Sequence, residues 1–474
     1  MVNLPDLPAE IILQILSHFG PSTVDFFWHR GISHQTLIPF SFSLDNKSRA
    51  EQIENAKRLA LVCRQLRPVC ASIVWMRLEC NPIMGLKNLF NVCKSKHGLA
   101  GYIQELVLQL PYLPLDELEA QFKDIWPHLT TLHTLTLTLT SANGCPSWLV
   151  AHLKSIPGLH TLRLRVMGDS IGPHLRRLSN IRNLYIEIYP PDIEDRDADP
   201  LGPGPPMEPA AREGVSREIY HSWSTLFNDL MELVESCKDV VRMGWHVHWT
   251  MAHAFYRHVS SKSGAPNNSS LSIRRISVLP PFLTSLSISL ESQLGTESFV
   301  RALSGLPVTD LALVSYDHIL LLGAEFEKFC KAFSHLRRLR LKLRAPSITV
   351  GGNSPKQFPI DMEYIARGLS SLSHLRSYRG PIVIKRPGPT SPPVASSILI
   401  RKEVKSTLID LAKRLVAKGV SPDTLFQWSV WVDGKYGPKE FEMVPNNGPK
   451  RLDQMSEDNF NRLQPYSYKV YVQV

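Results

Sequence analysis

A chain of 474 residues with 43% hydrophobic content can bury a sizeable core and by length suggests about three domains. Its 53 basic and 43 acidic residues give a formal charge of +10, a modest excess for this length that disfavours nucleic acid as the main partner. No apolar run reaches the eighteen or so residues of a spanning helix, and no basic leader precedes an apolar run at the start, so neither membrane insertion nor secretion is expected.

The first predicted element runs from Leu4-Pro5-Asp6-Leu7-Pro8 through Ile11, Ile12, Ile15, Leu16 and Phe19. Pro8 suits a first helical turn, Glu10 places negative charge near the positive helix end, and the isoleucine and leucine spacing puts one apolar side on the helix. After an insertion at 20–48, a second apolar segment carries Leu59, Val62, Cys63, Arg64, Leu66 and Arg67, then Val74, Trp75 and Leu78. This Leu-x-x-Val-Cys-Arg-x-Leu-Arg run followed by Val-Trp-x-x-Leu resembles the F-box domain. So small a helical module cannot complete a core alone and needs a partner to cover its apolar surface.

The resemblance implies a substrate receptor of SCF-type cullin–RING ubiquitin ligases. It implies docking on a Skp-type adaptor, and through it on the cullin, by Leu4, Pro5, Leu7, Pro8, Ile11, Ile15, Val62, Leu66 and Trp75. The insertion at 20–48, where the family has a short loop, holds Phe26-Phe27-Trp28 and is expected to pack and to alter docking.

Beyond Cys80 the sequence repeats. Ile103-x-x-Leu106-x-Leu108-x-Leu110 returns at Leu132, Leu159 and Ile181, with the lead residues Leu106, Leu135, Leu162 and Leu184 spaced 29, 27 and 22 apart. The pattern resumes at Val240, Leu283, Val308 and Leu336, with leads Met243, Leu286, Leu311 and Leu339. A last echo is Leu425-x-x-Trp428, whereas Leu375-x-x-Tyr378 is too degraded to count. Such intervals, with helix-like pieces at 115–126 and 148–156 between them, resemble leucine-rich repeats of one strand and one helical return each. The Asn or Cys that usually follows the strand is absent, its place taken by Pro111, Thr140, Met167 and Tyr189.

The expected fold is therefore α/β: a helical F-box at 1–80, then an irregular leucine-rich-repeat solenoid at 81–384, a curved, largely parallel sheet with helical returns. Residues 190–216, with seven prolines and seven acids, read as a disordered insertion within it. A Pro/Ser-rich linker at 385–397 precedes a C-terminal repeat or cap at 398–474.

Alternation along each strand turns the leucines inward and displays the residues between them on the concave side, a face about 40 Å long for nine strands. The expected substrate-binding residues there are Arg163, Arg165, Tyr185, His246, Arg340, Lys342 and Arg344. Arginine forks bind carboxylate and phosphate in pairs of hydrogen bonds, so the arginines and Lys342 suit an acidic or phosphorylated protein segment. The same side chains also fit ordinary charged strands.

Seven scattered cysteines without Cys-x-x-Cys spacing fit reduced thiols in a cytoplasmic or nuclear protein. His246, His248, His253 and His258 lack a well-spaced Cys or carboxylate partner, so no metal site is expected, and no cofactor is implied. No phosphate loop, Gly-x-Ser-x-Gly elbow or His-Glu-x-x-His motif is present, so the chain reads as a non-enzyme. Two alternatives stand behind the ligase receptor: a repeat scaffold outside any ligase, and a weak, salt-sensitive nucleic-acid binder.

Overall fold

Each repeat starts with an apolar residue that closes a tight turn. The backbone N–H groups of Ile103, Leu132, Leu159, Val240, Leu283, Leu336 and Leu375 each bond a carbonyl three residues back at 2.9–3.3 Å, with Leu132 to Leu129 at 3.3 Å and Leu375 to Leu372 at 3.1 Å. One residue follows, and then a strand.

A computed structural model describes residues 54–80, 89–110, 115–139, 144–188, 226–247, 279–290, 303–315, 323–343, 362–385, 410–433, 439–442 and 450–451, with short gaps inside several stretches. The first predicted helix, the insertions at 20–48 and 190–216, and Val62 and Arg344 lie outside these residues. The chain divides into two compact units, Met1–Val240 and Val241–Val474.

In the N-terminal unit, Pro68 sits in the first turn of the helix Arg67–Trp75, where a missing N–H costs nothing. Cys70 and Ile73 of that helix pack with Leu66 and Ala56 into a small core. The helix leads into β1 (Arg77–Cys80), a strand inside the stretch that the motif gave to the helical module. It pairs in parallel with β2 (Glu105–Leu110), followed by β3 (Thr134–Leu139), β4 (Thr161–Val166) and β5 (Asn183–Ile188), each parallel to the one before. Leu78, Leu106, Leu135, Leu162 and Leu184 stand in register. The last four are 0% exposed, each contributing about 1.5–3 kcal/mol of burial. The helices Leu115–Ile125 and Ser147–Ser155 and the residues 226–236 return the chain.

The C-terminal unit repeats the scheme in β6 (Arg242–Val247), β7 (Ser285–Leu290), β8 (Asp310–Ser315), β9 (Arg338–Leu343), β10 (Ser377–Lys385) and β11 (Leu425–Asp433), all parallel. Helices Gly323–Ala332 and Met362–Ser370 precede β9 and β10. Two short strands, β12 (Lys439–Glu442) and β13 (Lys450–Arg451), pair antiparallel with β11 and end the parallel series.

Two expectations change here. Leu375-x-x-Tyr378 is a full rung: Tyr378 takes the lead position opposite Leu339 and is 0% exposed. Gly380, two residues on and on the same side, leaves the space its ring needs, because a Cβ there would lie 2.3 Å from Tyr378 Oη. A large residue and a small one replace two leucines. In β11 the register puts Phe426, not Trp428, opposite Tyr378.

Register is also held by backbone bonds ahead of each strand. At each strand start one carbonyl accepts two N–H groups from the next repeat. Gln104 O takes His133 N and Thr134 N at 3.0 and 3.0 Å, His133 O takes His160 N and Thr161 N at 3.2 and 3.0 Å, and His160 O takes Arg182 N and Asn183 N at 2.8 and 2.9 Å. Val241, Thr284, Thr309 and Arg337 do the same in the second unit. A carbonyl has two lone pairs, so each can serve both N–H groups and hold neighbouring repeats in register.

Candidate functional site

The side of the sheet opposite the leucines is polar, and in the N-terminal unit it is largely closed to solvent. The register sets out three rows across β2 to β5: Glu105, Thr134, Thr161 and Asn183; Val107, Thr136, Arg163 and Tyr185; Gln109, Thr138, Arg165 and Glu187.

Arg163 Nη1 donates to Glu105 Oε1 at 2.7 Å, reaching from β4 across β3 to β2, and Arg77 Nη1 approaches the same oxygen at 3.7 Å. The Arg163 guanidinium also lies 5.8 Å from the centre of the Tyr185 ring. Its stem passes over β3, in keeping with an exposure of only 1% for Thr136. Burial pulls the Arg163 pKa down, and Glu105 and then Tyr185 oppose that. On the next row Arg165 Nε lies 3.4 Å from Glu187 Oε2.

At the strand starts His133 and His160 stack with ring centres 5.3 Å apart. Each ring Nδ1 meets the hydroxyl of the next residue, Thr134 at 3.0 Å and Thr161 at 2.9 Å. Asn183 Nδ2 donates to that same Thr161 hydroxyl oxygen at 2.8 Å. Burial lowers both histidine pKa values, helped by the neighbouring imidazole at His133 and by Arg182 at His160.

In the N-terminal unit Arg163 thus meets Tyr185, and Arg165 pairs with Glu187. Arg163 is buried within an ion network, while Arg165 and Tyr185 are half-buried. In the C-terminal unit Arg340 and His246 are buried, and Lys342 lies on β9 with its side chain outside the described residues. Leu66 is buried in the small helical core and Trp75 is half-buried at the end of its helix. Sequence reasoning overlooked Glu105 and Arg77, the acceptor and second donor of the network. The signal was there in Glu105 and Arg163, an acid just before one lead and a base just after another, which alternation puts on the same side.

His246 is fully enclosed, and burial, aided by Arg340, pushes its pKa down to about 3. A folded-state pKa below the ordinary value of about 6.5 means the unfolded chain binds the proton first, so stability falls as pH drops below about 6.5 and goes on falling to about 3. At pH 5 the loss from this one group is about 2 kcal/mol. In the variant His246→Leu, the stability difference between pH 7.5 and pH 5, measured by urea unfolding, is expected to shrink by about that amount.

Among the described residues, no three His, Cys, Asp or Glu side chains gather as a metal site, and no helix is long and apolar enough to cross a membrane. Cys70, Cys93, Cys145, Cys237 and Cys330 are free and buried. Burial raises all five thiol pKa values, those of Cys93 and Cys237 to about 11, which suits packing and not nucleophilic chemistry.

No family model matches the chain, and no curated protein matches it. Among solved structures it is similar to the leucine-rich repeat-containing protein LegL7 from Legionella pneumophila, at 16% identity over 82% of this chain and 96% of that one, with a TM-score of 0.39. So low a score carries no argument. The repeat architecture rests on this chain's own features: leads in register, parallel strands, helical returns and a carbonyl ladder at each strand start.

Proposed function

We propose that the chain is a non-enzymatic substrate receptor of an SCF-type ubiquitin ligase, acting in the cytoplasm or nucleus. Its N-terminal segment would dock on a Skp-type adaptor and its repeats would hold a protein target. The observation that carries this is the ordered run from Leu59 to Leu78, whose F-box-like motif coincides with the helix Arg67–Trp75 and the small core beneath it. Among the described residues Leu61, next to Ala60 on the edge of that core, is 80% exposed, an apolar side chain that a second polypeptide could cover.

The contribution to ubiquitin transfer would be proximity: raising the effective concentration of target lysines at the charged ubiquitin carrier. Arg165 and Tyr185, both half-buried on the polar side of the sheet, are the described residues best placed to meet an acidic or phosphorylated target segment.

Affinity capture of the full chain from cells tests the reading. Recovery of a Skp-type adaptor together with a cullin is the expected result, with loss of both on replacing Ile11 and Ile15 by Asp. Capture of neither protein overturns the proposal. Adaptor without cullin overturns the ligase role and leaves a repeat scaffold.

A further inference from the structure

The formal charge is divided unevenly between the two units. Residues 1–240 hold 22 basic and 26 acidic residues, a charge of −4, whereas residues 241–474 hold 31 and 17, a charge of +14. The chain-wide value of +10 hides a strongly cationic half.

Part of that excess stands on consecutive helical returns. Lys328 and Lys331 project from the helix Gly323–Ala332, Arg367 from the helix Met362–Ser370, and Lys413, Arg414 and Lys418 from residues 410–418, all of them exposed. Two glutamates lie among them. Glu327 takes Lys331 at 2.7 Å and Arg367 at 3.9 Å, and Glu363 takes Arg367 at 3.4 Å, Arg414 at 3.6 Å and Lys418 at 3.1 Å. These pairs tie the three returns into one belt, about 20 Å wide at the usual 8–10 Å between packed helices.

Glu327 is an inner member: its side chain is 19% exposed, against 63% for Lys331 and 44% for Arg367, whereas Glu363 at 40% lies level with its partner Lys418 at 36%. Cations outnumber acids along the outer rim, where Glu363 is partly exposed and Asp410 is exposed at the far end. The hydrogen bond from Lys331, with Arg367 and Lys418 behind it, holds the Glu327 carboxyl below its usual range, as a positive local field requires.

We propose that this belt binds the phosphate backbone of duplex nucleic acid without reading its sequence. An acidic protein segment fits less well, because protein interfaces draw their affinity from buried apolar or aromatic anchors, and Val416 is the one exposed large hydrophobic among the described residues of these returns. Single strands fit less well too, because they need aromatic stacking platforms. Tyr364 is half-buried and already carries Arg367 4.9 Å from its ring centre. A duplex asks only for fixed cations, and releasing its condensed counterions supplies the driving force.

The test is fluorescence anisotropy of a labelled mixed-sequence duplex of about 20 base pairs with the full chain, over about 50–300 mM KCl. Binding at low salt with a slope of log K against log salt near −4 is expected, at about −0.9 per phosphate contacted. The triple variant Lys331→Glu, Arg414→Glu, Lys418→Glu flattens that slope by about three units, one for each cation lost. Reversing the exposed Lys154 and Arg177 of the other unit leaves it unchanged. If circular dichroism shows the triple variant unfolded, Lys331→Gln with Lys418→Gln serves instead, and a drop of about two units is expected. No binding at about 50 mM salt, or a slope indifferent to these changes, overturns the proposal. Tighter capture of polyglutamate or of a single strand than of the duplex overturns it equally, and reassigns the belt.

Discussion

Replacing Glu105 with glutamine is expected to destabilise the N-terminal unit by about 3–5 kcal/mol, because it removes the carboxylate that Arg163 and Arg77 share while leaving both guanidinium groups buried. The pair is worth little beyond neutrality when intact, since bringing two charges out of water offsets most of their attraction. The cost comes from breaking it on one side. Arg163 is 5% exposed and cannot turn to solvent without leaving the strand register that holds it. Amide hydrogen exchange of β2 to β4 in the full chain measures the loss locally, and thermal unfolding is expected to fall by on the order of 10 °C for a unit of this size. The double variant Glu105→Leu with Arg163→Met, which leaves Arg77 as the remaining charge of the network, is expected to recover only part of the loss. A Glu105→Gln protein as stable as the parent would show that the network behaves like a surface ion pair.

The same network shows where sequence reasoning worked and where it stopped. Leads at Leu106, Leu135, Leu162 and Leu184, chosen on spacing alone, are the residues the register aligns, because a buried leucine every repeat is a demand each strand must meet by itself. Tyr378 escaped because its fit depends on Gly380, a compensation in volume that a leucine pattern does not register. β1 escaped because its four residues follow a helix directly, and only pairing with β2 makes them a strand.

The candidate binding face was legible as a set of positions but not as a state of exposure. Alternation puts Arg163 on the polar side; it cannot tell that the side chain bridges two strands to reach Glu105 and so leaves the set available to a ligand. Charge raises a related point. A whole-chain sum averages two units of opposite sign, and only the division at 240 and 241 separates them.

Gly144→Ala is expected to cost more than about 3 kcal/mol, on two counts that can be measured apart. The residue has φ of +63°, where a Cβ costs about 1–2 kcal/mol. That Cβ would also lie 2.2 Å from Gly172 N and 2.3 Å from Ile171 C, atoms of backbone that no rotamer change can move. The contact is close because Cys145 N donates to Ile171 O at 2.9 Å, joining the loop after β3 to the loop after β4. The second loop is anchored in turn: Gly172 N donates to Ser170 Oγ at 2.9 Å, and Ser170 Oγ to Asp229 Oδ2 at 3.2 Å on the helical residues 226–236. Displacing Gly172 therefore disturbs two repeats and a helical return. Gly98 supplies the control, with φ of +62° and nothing within 4 Å of an added Cβ. Gly98→Ala should show the conformational cost alone, about 1–2 kcal/mol, and the remainder at Gly144 is then the cost of parting the two loops. Urea unfolding of both variants checks this, and equal losses at the two glycines would mean that the loops separate freely, so that neighbouring repeats are held by their strands and not by the turns that follow them.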